Sequence, residues 1–189
     1  MINIIILIVT LLLLLLVVAA VGRAILMKQQ IIGRPPIPVL FFILAKLCVV
    51  INLVFLFCRG IGVPVPVIFE PPRWLEIIGL VFLFTGFTVV LFVAIQMNKD
   101  LVFGLSSSRE HTLQTKGLFR VSRHPFYLGF LGVLFASSVL VPNVANIIAF
   151  ILAWIIHHFI MIREEQFLAS QYGEQYRQYT EKVKRYISF

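Results

Sequence analysis

Cysteine, charge and glycine-rich loops are all scarce in this chain, and each shortage removes a class of protein. Only two cysteines occur in 189 residues. Cys48 and Cys58 lie within one apolar run and have no metal-ligand spacing, so neither a disulfide scaffold nor a zinc centre organises the fold. They read as small buried hydrophobes. No glycine-rich dinucleotide fingerprint occurs, so no motif points to a Rossmann-type nucleotide domain. Internal repeats and low-complexity linkers are also missing. Charged residues make up 13% of the chain and apolar residues 60%. With a mean hydropathy of +1.01, that composition excludes an ordinary soluble domain.

What remains is a sequence suited to a bilayer. Residues 2–21, 37–58 and 74–97 are each apolar enough and long enough, at about 1.5 Å per residue, to match a hydrocarbon core of about 30 Å. A fourth tract, 126–162, is too long for one crossing, and Pro142 and Asn143 divide it into two shorter spans joined by a tight turn. The expectation is an all-α integral membrane protein with five transmembrane helices. The last two form a helical hairpin, and a cytoplasmic amphipathic helix follows at the C-terminus. Residues 1–97 would supply a scaffold and acceptor access, and residues 98–189 the catalytic region.

The net charge of +8 follows from this topology. Thirteen basic residues, from Arg23 through Arg123 to Arg185, fall on one side of the five-span arrangement, while only Arg59 and Arg73 fall on the other. The positive-inside rule then places the N-terminus outside and the C-terminus in the cytoplasm. Basicity is thereby accounted for without a nucleic-acid partner. The first apolar run resembles a leader at Ala20, Val21 and Gly22, but no basic residue precedes it, so it reads as a span. Trp74 is placed as an interfacial anchor. Lys46, inside the second span, reads as a lysine snorkelling to the headgroups, and Asn52 as a residue facing protein. Gly79, Gly86, Gly129, Gly132 and Ala136 recur at helical spacing as packing faces.

Polar chemistry is concentrated in HTLQTKGLFRVSRHPFYLGF, residues 111–130, and in REEQFLASQYGEQYRQYTEKVKRY, residues 163–186. Pro125 suits the first turn of a helix, where a missing amide donor is harmless. The positive end of that helix, with Arg123 beside it, would hold an anion. Glu164 and Glu165 offer acceptors for hydroxyls or a cation. Phe126, Tyr127 and a stripe of Phe167, Leu168, Tyr172, Tyr176 and Tyr179 offer aromatic faces to a planar base or a sulfonium. His157 and His158 lack the partners of a metal site and read first as packing or interfacial residues; His158 shares a helical stripe with Trp154 and Glu165, which leaves a reach toward a pocket as its alternative.

These two segments resemble the H-x-L-x-x-x-G-x-Y-x-x-x-R-H-P-x-Y-x-G and E-E-x-x-L-x-x-x-F/Y-G-x-x-Y-x-x-Y signatures of the isoprenylcysteine carboxyl methyltransferase family and its phospholipid methyltransferase relatives. The resemblance covers about residues 111–185. It implies a membrane-embedded methyltransferase using S-adenosylmethionine, with the cofactor bound by Leu113, Gly117, Arg123, His124, Pro125, Tyr127, Glu164 and Glu165. No metal is implied. His111 matches the first motif position. Two departures stand out: Phe119 where the family has tyrosine, and Lys184 where many members have proline.

Methyl transfer from a sulfonium requires alignment and exclusion of water. A carboxylate acceptor needs no general base, whereas an amine or thiol must first lose a proton. For the carboxylate case Arg163 and Arg120 are the candidate acceptor-positioning groups. The expected partners are membrane lipids and a lipophilic or lipidated acceptor, of isoprenylcysteine type, entering sideways from the bilayer. The donor motifs do not separate this from phospholipid N-methylation or thiol S-methylation. An NADPH-dependent reductase would call for a basic cluster at the 2′-phosphate, and a non-enzymatic membrane subunit would bind no adenosyl ligand.

Overall fold

The computed structural model describes residues 2–26, 35–97 and 113–188, and among these it is entirely helical. Three long helices come first: α1 (Ile2–Leu26), α2 (Val39–Ile61) and α3 (Arg73–Met97). A short 3-10 turn, Gly117–Arg120, then leads into α4 (Pro125–Leu140), α5 (Val144–Tyr172) and α6 (Glu174–Lys182). Helices α1, α2, α3 and α5 are long and apolar enough to cross a membrane; α4, with 16 residues, is a shorter apolar helix. At about 24 Å, α4 falls short of a full hydrocarbon core. The polar C-terminal segment differs from the single amphipathic helix expected of it. Helix α5 continues without a break to Tyr172, and the chain turns at Gly173 before α6 begins.

α4 packs most extensively on α3. Small residues allow this approach, because a Cβ added at Gly86 would lie 2.6 Å from the Gly129 carbonyl oxygen and 2.9 Å from the Val133 nitrogen. Helices α2 and α5 run antiparallel: Ala45 packs with Ile156 and Ile160, while Asn52 and Asn146 meet at Ser137 one end further along. Asn52, Ser137 and Asn146 are all completely buried. Ser137 donates to the Asn52 carbonyl at 2.7 Å, and Asn146 donates to the Ser137 and Val141 carbonyls at 3.0 Å each. This polar knot ties α2, α4 and α5 in an apolar interior, where such bonds have no water to compete with them.

The turn between α4 and α5 is held from outside the hairpin. Asn143 caps α5 by accepting from the Ala145 amide at 2.8 Å, and its side-chain amide donates to the Pro66 carbonyl at 2.6 Å. The turn therefore sits on the α2–α3 connection, which fixes α4 lengthwise and sets the height of its first residue, Pro125.

Candidate functional site

The site begins with the segment that delivers the chain to α4. Gly117 has a φ of +58° and lies against Gln96, whose side-chain amide donates to the Lys116 carbonyl at 2.7 Å. A side chain at 117 would meet both strain and a filled space. His124 caps α4 ahead of Pro125 at the first helical position. Its own amide donates to Ser122 Oγ at 3.1 Å.

The C-terminal strand of chain folds back over this segment. The Arg123 amide donates to the Lys184 carbonyl at 3.0 Å, Ser122 Oγ donates to the Arg185 carbonyl at 3.0 Å, and the Ser188 amide donates to the Val121 carbonyl at 2.8 Å. The departure at Lys184 from the family signature is explained here. The Lys184 amide donates to Ser188 Oγ at 2.7 Å, a bond proline has no N–H to make. Phe119 is buried, and its backbone carbonyl accepts from the Tyr179 hydroxyl at 2.6 Å. Tyr176, Tyr179 and Val183 form a small core with Leu113, Leu168 and Tyr172, so most of the aromatic stripe packs against the segment preceding α4.

Beneath this cover the two motifs meet. Glu165 accepts from both Arg185 Nε and Nη2, at 2.8 and 2.9 Å, and lies 3.1 Å from His124 Nε2 and 3.4 Å from Arg123 Nη1. Glu164 accepts from the Tyr127 hydroxyl at 2.6 Å and lies 3.8 Å from His124 Nδ1. The two adjacent carboxylates differ in role. Glu165 is saturated by three basic groups, whereas Glu164 has one short bond and a second oxygen facing the His124 ring. The carboxylate also raises the pKa of the Arg185 guanidinium above its ordinary value. Burial pushes the Tyr176 phenol up to about 12, so its hydroxyl remains a donor at neutral pH.

Two buried polar atoms beside the cluster, Arg123 Nε and the Tyr176 hydroxyl, have no hydrogen-bond partner among the described residues. The Arg123 guanidinium lies beside the Tyr176 hydroxyl and interacts with it, but no bond of good geometry satisfies either atom. Buried donors are rarely left unsatisfied, and a bound carboxylate would satisfy the pair.

Of the residues singled out from the sequence, Arg123, His124, Pro125, Tyr127, Glu164 and Glu165 converge here, with Leu113 and Gly117 shaping the approach. Arg163 and Arg120 do not. Both are exposed, and Arg163 donates instead to Gln166 on its own helix at 3.1 Å. They point away because adjacent residues on a helical turn lie about 100° apart, so the neighbours of half-buried Glu164 and buried Phe119 are turned out of the site. His158 bonds to the Tyr186 hydroxyl at 2.6 Å and stacks on that ring, whereas His157 is buried with Nδ1 2.7 Å from the Ala153 carbonyl. Neither touches the carboxylates. His111 lies outside the described residues. Sequence reasoning missed Arg185, the strongest partner of Glu165; its one available signal was a basic residue twenty positions after the acidic pair, which spacing alone does not distinguish from Lys182 or Lys184. An open apolar groove flanked by Phe82, Leu128, Phe135 and Tyr186 runs along α4, about 100° round the helix from Tyr127.

The same region carries the likeness to known proteins. Protein-S-isoprenylcysteine O-methyltransferase A of Arabidopsis thaliana is 29% identical over 121 residues, covering 61% of this chain and 60% of its own length. The Schizosaccharomyces pombe protein-S-isoprenylcysteine O-methyltransferase is 32% identical over 77 residues, covering 40% of this chain and 33% of its own. Methanethiol S-methyltransferase 1 of Bradyrhizobium diazoefficiens is 30% identical over 114 residues, covering 55% and 39% respectively. The chain thus spans about three fifths of the length of the Arabidopsis relative. The family model described as phospholipid methyltransferase matches residues 74–175, from the start of α3 through α4 and both carboxylates to the first residues of α6, and on that match the chain belongs to the phospholipid methyltransferase family.

Proposed function

We propose that this protein is an S-adenosylmethionine-dependent membrane methyltransferase that O-methylates the carboxylate of a lipidated acceptor of isoprenylcysteine type. The observation that carries this reading is the meeting of His124 and Tyr127 with Glu164 and Glu165 at hydrogen-bond distance, beside two buried donors that lack a partner. A ligand bearing a carboxylate, a ribose diol and a sulfonium fits this donor set. Arg123 Nε and the Tyr176 hydroxyl would take the carboxylate, Glu164 the diol or the positive sulfur, and Tyr127 an aromatic contact. When bound, the cofactor supplies an electrophilic methyl group on sulfur. The protein's part is to orient the acceptor in line with it and to exclude water. Leu113, Gly117 and Pro125 would shape the cofactor loop.

The topology that accompanies this reading has five crossings, with α4 and α5 as the closing hairpin, the N-terminus outside and the site on the cytoplasmic side. Residues 1–97 serve as scaffold and acceptor access, and residues 98–189 as the catalytic region. Similarity to a methanethiol S-methyltransferase favours thiol S-methylation as the second reading. Base-labile release of methanol from the labelled product separates a methyl ester from a thioether.

Calorimetry of the detergent-purified protein with S-adenosylhomocysteine tests the reading. Saturable binding is expected, and folded protein that fails to bind would overturn it. Tyr127→Phe removes the 2.6 Å donor from Glu164 and is expected to weaken that binding about tenfold, with little change in melting temperature. Unchanged affinity would remove the Tyr127–Glu164 pair from the pocket.

A further inference from the structure

We infer that Lys46 of α2 is the cation that receives the anionic end of the acceptor, an inference that rests on the methyltransferase reading above and identifies the acceptor side of the same site. A negatively charged acceptor in an apolar protein needs a positive group, and the basic residues near the site are otherwise accounted for. Arg123 and Arg185 are committed to Glu165, while Arg120 and Arg163 are exposed.

Lys46 is different. It has no ion-pair partner among the described residues, and its ammonium stands 4.9 Å from the centre of the Phe42 ring. That contact fixes its direction. Helices α2 and α5 are antiparallel, with Ala45 packed on Ile156 and Ile160. Phe42 lies about 4.5 Å further toward the α2 N-terminus, and so is level with the turn of α5 that carries Glu164. By reaching back over Phe42, Lys46 points its charge toward the carboxylate end of the site. Its ammonium is within Coulombic reach of both Glu164 and His157. Tyr127 packs against the same small core as Phe42 and Ala45, so α2 supplies one wall of the space in front of the Tyr127–Glu164 pair.

An ammonium set among apolar side chains, with Glu164 within Coulombic reach but no anion bonded to it, is costly to leave without a direct partner. The acceptor carboxylate would neutralise it and be held beside the donor site. The acceptor oxygen then forms its bond to the methyl carbon as the carbon–sulfur bond breaks. The electron pair stays on sulfur, the carboxylate charge is consumed, and no proton moves. Loss of that charge releases the neutral ester from Lys46, so the same contact favours substrate over product.

The test uses the full-length protein in detergent with S-adenosylhomocysteine bound, titrated by calorimetry with an S-prenylated N-acylcysteine as the free acid and as the neutral amide. Wild type is expected to prefer the acid by about tenfold or more, and Lys46→Met to bind the two alike. Lys46→Arg should restore the preference, and all three forms should bind S-adenosylhomocysteine within about threefold of each other. Equal binding of acid and amide by wild type overturns the assignment. So does an acid preference that survives in Lys46→Met, or a folded Lys46→Met that loses S-adenosylhomocysteine. Wild type that binds no S-adenosylhomocysteine overturns the methyltransferase reading instead, so the two failures are distinguishable.

Discussion

Glu165→Ala is expected to lower stability by about 2–4 kcal/mol and to abolish binding of S-adenosylhomocysteine. One carboxylate holds Arg185 in a two-point grip and also faces Arg123 and His124. Its removal leaves three nitrogen-bearing groups without their common acceptor. The cost is not uniform: the Arg185 side chain is 29% exposed and can turn to water, whereas that of His124 is 5% exposed and cannot. For a chain of this size the loss corresponds to a fall of roughly 5–10 °C in melting temperature. Cleavage by trypsin at residues 182–185 should accelerate, because the C-terminal segment would lose its charged anchor and keep only its bonds to residues 121–123, the Tyr186 contact with His158 and the packing of Val183. Arg185→Met should cost less, since Glu165 keeps Arg123 and His124. A double-mutant cycle between Glu165→Ala and Arg185→Met should give a coupling of about 1–3 kcal/mol. A Glu165→Ala protein that melts within about 2 °C of wild type would show that the cluster is not what binds the C-terminal segment to α4.

How far the sequence foretold this arrangement depends on the physical signal behind each element. The long spans were legible because an apolar run of membrane length has one stable environment. The turn at Pro142 and Asn143 was legible because proline and an α-helix N-cap leave a local mark, and the structure pairs Asn143 with the Ala145 amide. The approach of Glu164 and Glu165 to His124 and Tyr127 was legible through hairpin topology, which brings the start of α4 and the later part of α5 to one end. Less visible was the inequality of the two glutamates. Adjacent residues on a helix point about 100° apart, so one faces Arg185 and the other Tyr127, but the sequence does not say which. Arg163 and Arg120 stand outside the cluster for the same reason: a cation's sequence distance from a site says little about its azimuth. Lys46 read as a snorkelling residue, and it does reach toward a helix end. What its sequence position left out was that α5, with Glu164, stands alongside that end.

The second large effect concerns the interface that sets the height and tilt of α4. Gly86→Ala is expected to be strongly destabilising, although it adds a single methyl group. The added Cβ would lie 2.6 Å from the Gly129 carbonyl oxygen and 2.9 Å from the Val133 nitrogen. These are backbone atoms of a helix, so no rotamer change relieves the contact. α4 must move, and it is held elsewhere by Asn146 and by the turn against Pro66. Overpacking of this kind costs about 1–3 kcal/mol. A shift of α4 also displaces Tyr127 from Glu164, where a misplacement of about 1 Å lowers a rate by about a hundredfold. Gly132→Ala is the control: its Cβ would lie 3.6 Å from Gly86 Cα, an ordinary contact, so melting temperature and methyl transfer should stay near wild type. Thermal unfolding in one detergent, with S-adenosylhomocysteine affinity measured on the same samples, distinguishes the two variants. If Gly86→Ala and Gly132→Ala behave alike, then α3 and α4 do not approach as closely as Gly86 and Gly129 place them, and the position of His124 over Glu165 must be set by the C-terminal segment alone.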